Sequence, residues 1–241
     1  MKLQADTLVS DIVAENYNAA AVFSKYKIDF CCNGNRSLAT VTEKKGISLE
    51  KVLEDLENQL KTKEDQSSLY QNLGIDFLSD YVVETHHTYV EKSISPIKQY
   101  LDKVSKVHGD RHPELLEVRD LFFGAADALT THMKKEELIL FPFFKKLAKL
   151  KKEGGVYEKP NFGTVENPIE MMHHEHDVEG ERFRKIAELT DNYTPPSDAC
   201  TTYRVAFSML KEFEEDLHKH IHLENNILFK RGIILEKELS N

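Results

Sequence analysis

Two short segments of the chain repeat one arrangement of potential metal ligands. Each begins with a histidine, has a glutamate four residues later and ends in Ile-Leu-Phe: His132 to Glu136 in the first, and His220 to Glu224 in the second. On an α-helix, residues four apart lie on one face, about one turn (~5.4 Å) apart. An imidazole and a carboxylate spaced in this way can bind one metal ion, or one of them can reach a second ion nearby.

Both pairs continue apolar stripes at helical spacing. The stripes are Leu121, Ala125, Ala128, His132, Glu136, Ile139 and Phe143 in one segment, and Leu210, Phe213, Leu217, His220, Glu224 and Ile227 in the other. A carboxylate on the core face of a helix is costly unless it is paired or bound to a metal. Two carboxylates at matching positions therefore indicate a metal site rather than packing.

Two further helical segments each offer one inward histidine. His86 continues an apolar stripe with Leu78, Val82 and Val90, whereas His87 falls on a charged face, so we choose His86. In the other segment His176 continues a stripe of Ile169, Met172, Gly180 and Phe183. His173 lies beside that stripe and could support a metal ligand without itself binding the metal. His218 and His222 fall on a charged face that we expect to be solvated.

The resulting ligand set has one histidine from each of four helices and two glutamates. It comprises His86, His132, His176, His220, Glu136 and Glu224. A lone histidine on an apolar face is usually a hydrogen-bonded core residue, but that interpretation does not explain six such positions together. The mixed nitrogen and oxygen donors suit iron or manganese better than the closed tetrahedral sites that zinc prefers. Two bridging carboxylates with two histidines per metal predict a dinuclear site.

The elements that must position these residues are four long helical patterns, at about 75–106, 113–152, 168–192 and 195–235. Convincing strand alternation is absent from the sequence, so we predict an all-α protein with an antiparallel four-helix bundle over residues 75–241. A small helical N-terminal domain is predicted over residues 1–60 and a polar linker over 61–74. Pro96 and Pro142 should each kink a helix or end a segment of it.

The N-terminal domain carries an adjacent cysteine pair, Cys31 and Cys32, in a turn rich in Asn and Gly. Adjacent cysteines close a disulfide only with strain, because the usual Cα separation is roughly 4.4–6.8 Å. Lys27 and Arg36 flank the pair and could favour thiolates. We therefore predict reactive, reduced thiols rather than packing residues, and interpret Cys200 as structural.

The composition excludes several classes of function. The chain has 241 residues and a formal net charge of −9, which makes a nucleic acid an unsuitable partner. Apolar runs are all shorter than the ~18 residues of a membrane span, and the first residues lack the apolar stretch of a secretory signal. We expect a cytoplasmic protein with no membrane partner.

These motifs resemble the hemerythrin-like family, and the whole chain resembles its RIC (repair of iron centres) proteins. The resemblance rests on the cysteine turn at 25–34 and on the histidine motifs at 85–87, 132–142, 175–177 and 220–225. Asn33 stands where the family often has Gly, and Lys230 where a proline is common.

The resemblance implies two non-haem iron ions per chain, bridged by carboxylate and oxo groups. It implies as iron ligands the six residues that the helical stripes select. It further implies repair of iron–sulfur clusters damaged by nitrosative or oxidative stress, through iron donation or removal of nitric oxide. The partners would be damaged iron–sulfur proteins, in some members with homodimer formation. We expect Cys31 and Cys32 to serve the transfer step.

Two other functions compete with cluster repair. An oxygen-binding or oxygen-sensing hemerythrin would use the same bundle, but oxygen carriers of the family typically have five histidines and a wider His-to-Asp spacing on the last helix. A cysteine domain also has no obvious use in a carrier. A plain iron store ranks last, because one dinuclear site per chain has little capacity.

Overall fold

The computed structural model describes residues 3–62 and 67–240, and within them the predicted all-α class is confirmed. The N-terminal helices are α1 (Val9–Glu15), α2 (Ala19–Lys25), α3 (Leu38–Lys45), α4 (Leu49–Thr62) and α5 (Ser67–Asn72). The bundle helices are α6 (Ile75–Val82), α7 (Thr88–His108), α8 (Glu114–Lys135), α9 (Phe141–Glu153), α10 (Glu166–Leu189), α11 (Thr201–Leu223) and α12 (Phe229–Ser240). None of these described helices is both long and apolar enough to cross a membrane.

Three π-helical turns connect consecutive bundle helices. They span Val83–His87, Glu136–Leu140 and Glu224–Leu228, and join α6 to α7, α8 to α9 and α11 to α12. The bundle therefore consists of four rods at 75–108, 114–153, 166–189 and 201–240. The predicted start of the fourth helix at Pro195 is too early. Asp191, Asn192 and Tyr193 all have positive φ, which turns the chain before α11 begins.

The two prolines within the helical patterns behave differently. Helix α7 continues through Pro96 without a break between Thr88 and His108, so the predicted segment end does not occur there. Pro142 is the second residue of α9, directly after a π-helical turn. Proline is tolerated in a first helical turn, where its missing N–H would have no intrahelical partner. Pro142 thus coincides with a segment boundary, as predicted.

Two apolar clusters stabilise the bundle on either side of the central section. One cluster lies under α7, α8, α10 and α11 and includes Phe122, Phe183 and Phe213. The other lies under α6, α9 and α12 and includes Phe141 and Phe144. On every rod, the predicted metal ligands lie near the point where residues of the first cluster end and residues of the second begin. Apolar packing therefore encloses the section that carries the polar ligands.

The N-terminal helices pack directly on the bundle. Tyr17 stacks at a tilt on the ring of His222, with centroids 5.2 Å apart, and Phe30 meets the edge of His218 at 5.8 Å. His222 is consequently 1% exposed and His218 half-buried, so the expectation that both are solvated is wrong. Burial lowers the pKa of His218 to about 4 and that of His222 to about 3.

The segment expected to be a linker, residues 61–74, contains the end of α4 and all of α5; residues 63–66 lie outside the described part of the chain. Ser67 accepts a hydrogen bond from the backbone N–H of Tyr17 at 2.8 Å. Gln71 donates to the carbonyl oxygen of Ala14 at 2.7 Å. These contacts attach α5 to the loop and helix that precede the cysteine turn.

Candidate metal centre

Two groups of buried ligands meet in the middle of the bundle and share both glutamates. In the first, His87 and His220 approach the carboxylates of Glu136 and Glu224. His87 Nε2 lies 3.4 Å from Glu136 Oε2 and 3.9 Å from Glu224 Oε1, and His220 Nε2 lies 2.9 Å from Glu224 Oε1. All of these side chains are at most 1% exposed.

The second group replaces the two histidines by His132 and His176 and keeps the same glutamates. His132 Nε2 lies 3.4 Å from Glu136 Oε2, and His176 Nε2 lies 3.2 Å from Glu224 Oε2. The two Nε2 atoms are 3.1 Å apart. Each group thus has two imidazoles and a share in two carboxylates, which is the ligand arrangement of a carboxylate-bridged dinuclear site.

Several buried ligand atoms at this centre lack a hydrogen-bond partner among the described residues. They are Nε2 of His87, both carboxylate oxygens of Glu136 and Oε2 of Glu224. An unsatisfied buried polar atom costs about 1–3 kcal/mol, and more when it is charged. A cation between these atoms would satisfy them together. The nitrogen and carboxylate donors fit iron or manganese.

The outer ring nitrogens of three histidines in these groups are held by hydrogen-bond acceptors. His87 Nδ1 lies 2.9 Å from Glu137 Oε1, and His132 Nδ1 lies 2.8 Å from Glu175 Oε2. His176 Nδ1 lies 2.8 Å from Asn225 Oδ1. Such contacts place the proton on Nδ1 and direct the Nε2 lone pair into the centre, as is usual for metal-binding histidines.

The buried histidines and carboxylates of this site shift one another's pKa values strongly. Burial lowers the pKa of His87 and of His132, but the buried carboxylates outweigh it and raise each pKa to about 10. Burial raises the pKa of Glu224, but His220 and His176 outweigh it and hold the pKa well below its usual range. The centre therefore needs positive charge, which metal cations can supply in place of protons.

The structure corrects the choice between the two adjacent histidines on the first rod. The ring of His87 reaches the glutamates, whereas His86 lies outside both ligand groups. His86 contacts Asp216 Oδ1 through Nδ1 at 2.9 Å and stacks on His220 with centroids 5.6 Å apart. The cause is the π-helical turn at Val83–His87, which contains one more residue than an α-turn and moves the inward position from 86 to 87.

The same kind of turn changes the face of the second rod. The sequence placed Ile139 inward, but Ile139 is 51% exposed, and Leu140 and Phe141 are buried instead. The two repeated segments each contain this Leu-Phe pair at the end of a π-helical turn. Two consecutive large apolar residues after a ligand glutamate were the sequence signal for the phase change.

The cysteine turn lies against α10, next to the metal centre. Cys31 is buried and Cys32 partly exposed, with 3.6 Å between the two sulfur atoms. The thiol of Cys32 donates to the carbonyl oxygen of His176 at 3.4 Å. A Cβ atom at Gly180 would lie 3.0 Å from Cys32 Sγ, so the absence of a side chain at this position permits the close approach.

The sequence led us to expect that Lys27 and Arg36 favour thiolates, but the surroundings of Cys31 raise the pKa of its thiol. The hydrogen bond with Cys32 raises the pKa of Cys31, and burial and the nearby Asp29 raise it further. Arg36 donates through Nε to the backbone oxygen of Asn33 at 3.1 Å, and Lys27 is exposed. The surroundings of Cys31 therefore favour its protonated thiol.

Comparisons with known proteins cover both parts of the chain. The family model described as the hemerythrin HHE cation binding domain matches residues 78–231, and the ScdA_N model, a domain of unknown function, matches residues 5–60. The chain is 30% identical over 226 residues to an iron–sulfur cluster repair protein ScdA of Staphylococcus haemolyticus, which covers 94% of this chain and 97% of that protein.

Two further relatives have related names. The chain is 33% identical to an iron–sulfur cluster repair protein YtfE of Dickeya chrysanthemi, over 89% of this chain and 91% of that protein. It is 31% identical to a probable iron–sulfur cluster repair protein of Haemophilus influenzae, over 94% of this chain and 96% of that protein. The chain therefore belongs to the family of ScdA- and YtfE-type iron–sulfur cluster repair proteins, with a hemerythrin HHE domain as its bundle.

Proposed function

We propose that this protein restores iron–sulfur clusters damaged by nitrosative or oxidative stress, with two iron ions held at the centre of its bundle. The observation that supports this proposal most is that two groups of buried histidines share Glu136 and Glu224. The relatives that match nearly the whole chain are named for cluster repair. The clients are damaged iron–sulfur proteins.

Each ligand has a distinct role in this proposal. His87 and His220 would hold one iron, and His132 and His176 would hold the other. Glu136 and Glu224 would be shared by the two ions, since each belongs to both ligand groups. When bound, the iron pair supplies redox chemistry and a source of iron for a client. Glu137, Glu175 and Asn225 hold the Nδ1 protons of His87, His132 and His176, and so orient the Nε2 donors.

The cysteine pair serves transfer to the client in this proposal. Cys32 is partly exposed, and its sulfur lies 3.4 Å from the backbone oxygen of His176, so a thiol that solvent reaches lies directly beside a residue of the centre. A thiolate binds iron and also reacts readily with oxidised groups. The reduced pair suits a reducing compartment such as the cytoplasm.

The test is recovery of an enzyme whose iron–sulfur cluster has been damaged with nitric oxide. Iron-loaded wild-type protein should restore its activity, and Cys200→Ser should do so equally well. The double variant Glu136→Leu with Glu224→Leu should restore little, because it lacks the bridging carboxylates. Cys31→Ser with Cys32→Ser should retain the bundle iron and lose most of the repair. Equal recovery with the glutamate variant would overturn the proposal.

A further inference from the structure

A second cluster of metal-binding side chains lies outside the bundle centre, in the cysteine turn. The sulfur atoms of Cys31 and Cys32 and the carboxylate of Asp29 offer ligand atoms that lie within 4.8 Å of one another. The two sulfurs are 3.6 Å apart, and Cys31 Sγ is also 3.6 Å from Asp29 Oδ1. None of these side chains belongs to the histidine and glutamate groups.

These separations match the spacing of ligands around one tetrahedral cation. Metal–sulfur bonds of about 2.3 Å at a tetrahedral angle place two sulfurs about 3.8 Å apart. One such bond and a metal–oxygen bond of about 2.1 Å place sulfur and oxygen about 3.6 Å apart. A disulfide would require the sulfurs to approach to about 2.05 Å. The turn therefore presents the two thiols at a separation that one tetrahedral cation can span.

The third donor is already oriented by its neighbours. Asp29 Oδ1 accepts hydrogen bonds from the backbone N–H groups of Cys31 at 3.1 Å and Cys32 at 3.0 Å. Its Oδ2 accepts from Asn33 Nδ2 and Arg184 Nη1, each at 2.9 Å. Burial raises the pKa of Asp29, but these donors outweigh it and hold the pKa below its usual value. Asp29 is thus an ionised carboxylate whose position is fixed relative to both sulfurs.

We propose that Cys31, Cys32 and Asp29 form a mononuclear site for a thiophilic divalent cation such as ferrous iron, separate from the bundle centre. The inference rests on the proposed function in that the site would hold iron between the bundle and a client. Binding breaks two S–H bonds and one of the two N–H hydrogen bonds to Asp29 Oδ1. It forms two metal–sulfur bonds and one metal–oxygen bond, and it releases two protons to the solvent. The oxidation state of the metal does not change. The cation enters past Cys32, the more exposed of the two thiols.

The test uses cobalt(II), which gives a strong sulfur-to-metal charge-transfer absorption when thiolates bind it. Reduced, full-length protein with its bundle iron is titrated with cobalt(II) without oxygen. The wild type should gain this absorption and saturate at one cobalt per chain. Cys31→Ser and Cys32→Ser should each lose most of it, and the matched control Cys200→Ser should keep it. Asp29→Asn should weaken cobalt binding about tenfold or more.

Two outcomes would overturn the inference: a wild type without sulfur-to-cobalt absorption, or undiminished absorption in the protein with both Cys31→Ser and Cys32→Ser. The iron content of each sample separates this inference from the proposed function. Bundle iron present without cobalt–sulfur absorption would remove the cysteine site alone. Cobalt–sulfur absorption in a folded wild type that binds no iron in its bundle would support the cysteine site and contradict the proposed function.

Discussion

Asn225 fixes which nitrogen of His176 faces the metal centre. The Asn225 Nδ2 group donates to the carbonyl oxygen of Cys31 at 3.0 Å, and this oxygen can only accept. Asn225 Oδ1 must therefore face His176, whose Nδ1 lies 2.8 Å away and carries the proton. The Nε2 lone pair is left for a metal. A single buried amide thus joins the cysteine turn to a candidate ligand of the bundle.

Replacing Asn225 should affect both the metal and the cysteine turn. In Asn225→Ala, iron affinity should fall roughly 10- to 100-fold, as for other groups that orient metal ligands. Amide hydrogens of residues 29–34 should exchange faster, because Cys31 loses its donor. Iron competition with a chelator and hydrogen exchange measure the two effects. Asn226→Ala is the control for iron affinity, since Asn226 contacts the carbonyl oxygen of Phe30 and the ring of His222, neither of which belongs to the ligand groups. Unchanged iron affinity in Asn225→Ala would contradict this role.

The adjacent histidines of the first rod should respond in opposite ways. His87→Ala should lower the iron bound per chain, because it removes a donor that reaches both glutamates. His86→Ala should keep the iron and lower the melting temperature, because His86 packs on His220 and contacts Asp216. Iron analysis and thermal unfolding separate the two. If His86→Ala loses iron and His87→Ala keeps it, His86 is the ligand, as the sequence predicted, and the assignment of His87 is wrong.

The bundle and most of its centre follow from helical periodicity. His132, Glu136, His176, His220 and Glu224 each lie on an apolar stripe, and the structure brings all five together. Helical periodicity selects the wrong inward residue where an α-helix contains a π-helical turn. A stripe counted in steps of three and four cannot include the extra residue of a π-helical turn, so it selects His86 and Ile139 in place of their neighbours.

Contacts between distant parts of the chain were also beyond sequence reasoning. His222 is bordered by polar residues along its own helix, which indicated a solvated face. Tyr17 and the cysteine turn cover that face in the structure, although about 200 residues separate them along the chain. Amphipathic patterns show which face of a helix is apolar. They do not show which polar face another segment will bury.

Stability should fall with rising pH because of Glu214, which lies beside Tyr193. Burial raises the pKa of Glu214 from 4.5 to about 7. A carboxyl group with a raised folded-state pKa stabilises the fold fully below its unfolded pKa, and this stabilisation is lost as the pH rises through about 7. Glu214→Gln should therefore be more stable than the wild type at pH 8, by about 1–3 kcal/mol.

Denaturant unfolding of the Glu214 variant near pH 4 and at pH 8 measures this effect. The free energy of unfolding of Glu214→Gln should exceed that of the wild type most at pH 8. The difference should be small near pH 4, where the protonated Glu214 of the wild type and the glutamine of the variant are both uncharged. Glu215→Gln is the matched control, because the Glu215 side chain is 66% exposed. An equal change in stability at both pH values would show that the substitution acts through packing and not through ionisation.

Mössbauer spectroscopy on iron-loaded protein of known concentration can show whether one chain holds two iron ions that share Glu136 and Glu224. We expect two irons per chain with coupled spins, and loss of the coupled pair in Glu136→Leu with Glu224→Leu. That variant should be compared with Glu179→Gln, which changes a buried glutamate outside both ligand groups. A folded wild-type protein that binds a single iron, or two irons without coupling, would rule out a di-iron centre shared by the two glutamates.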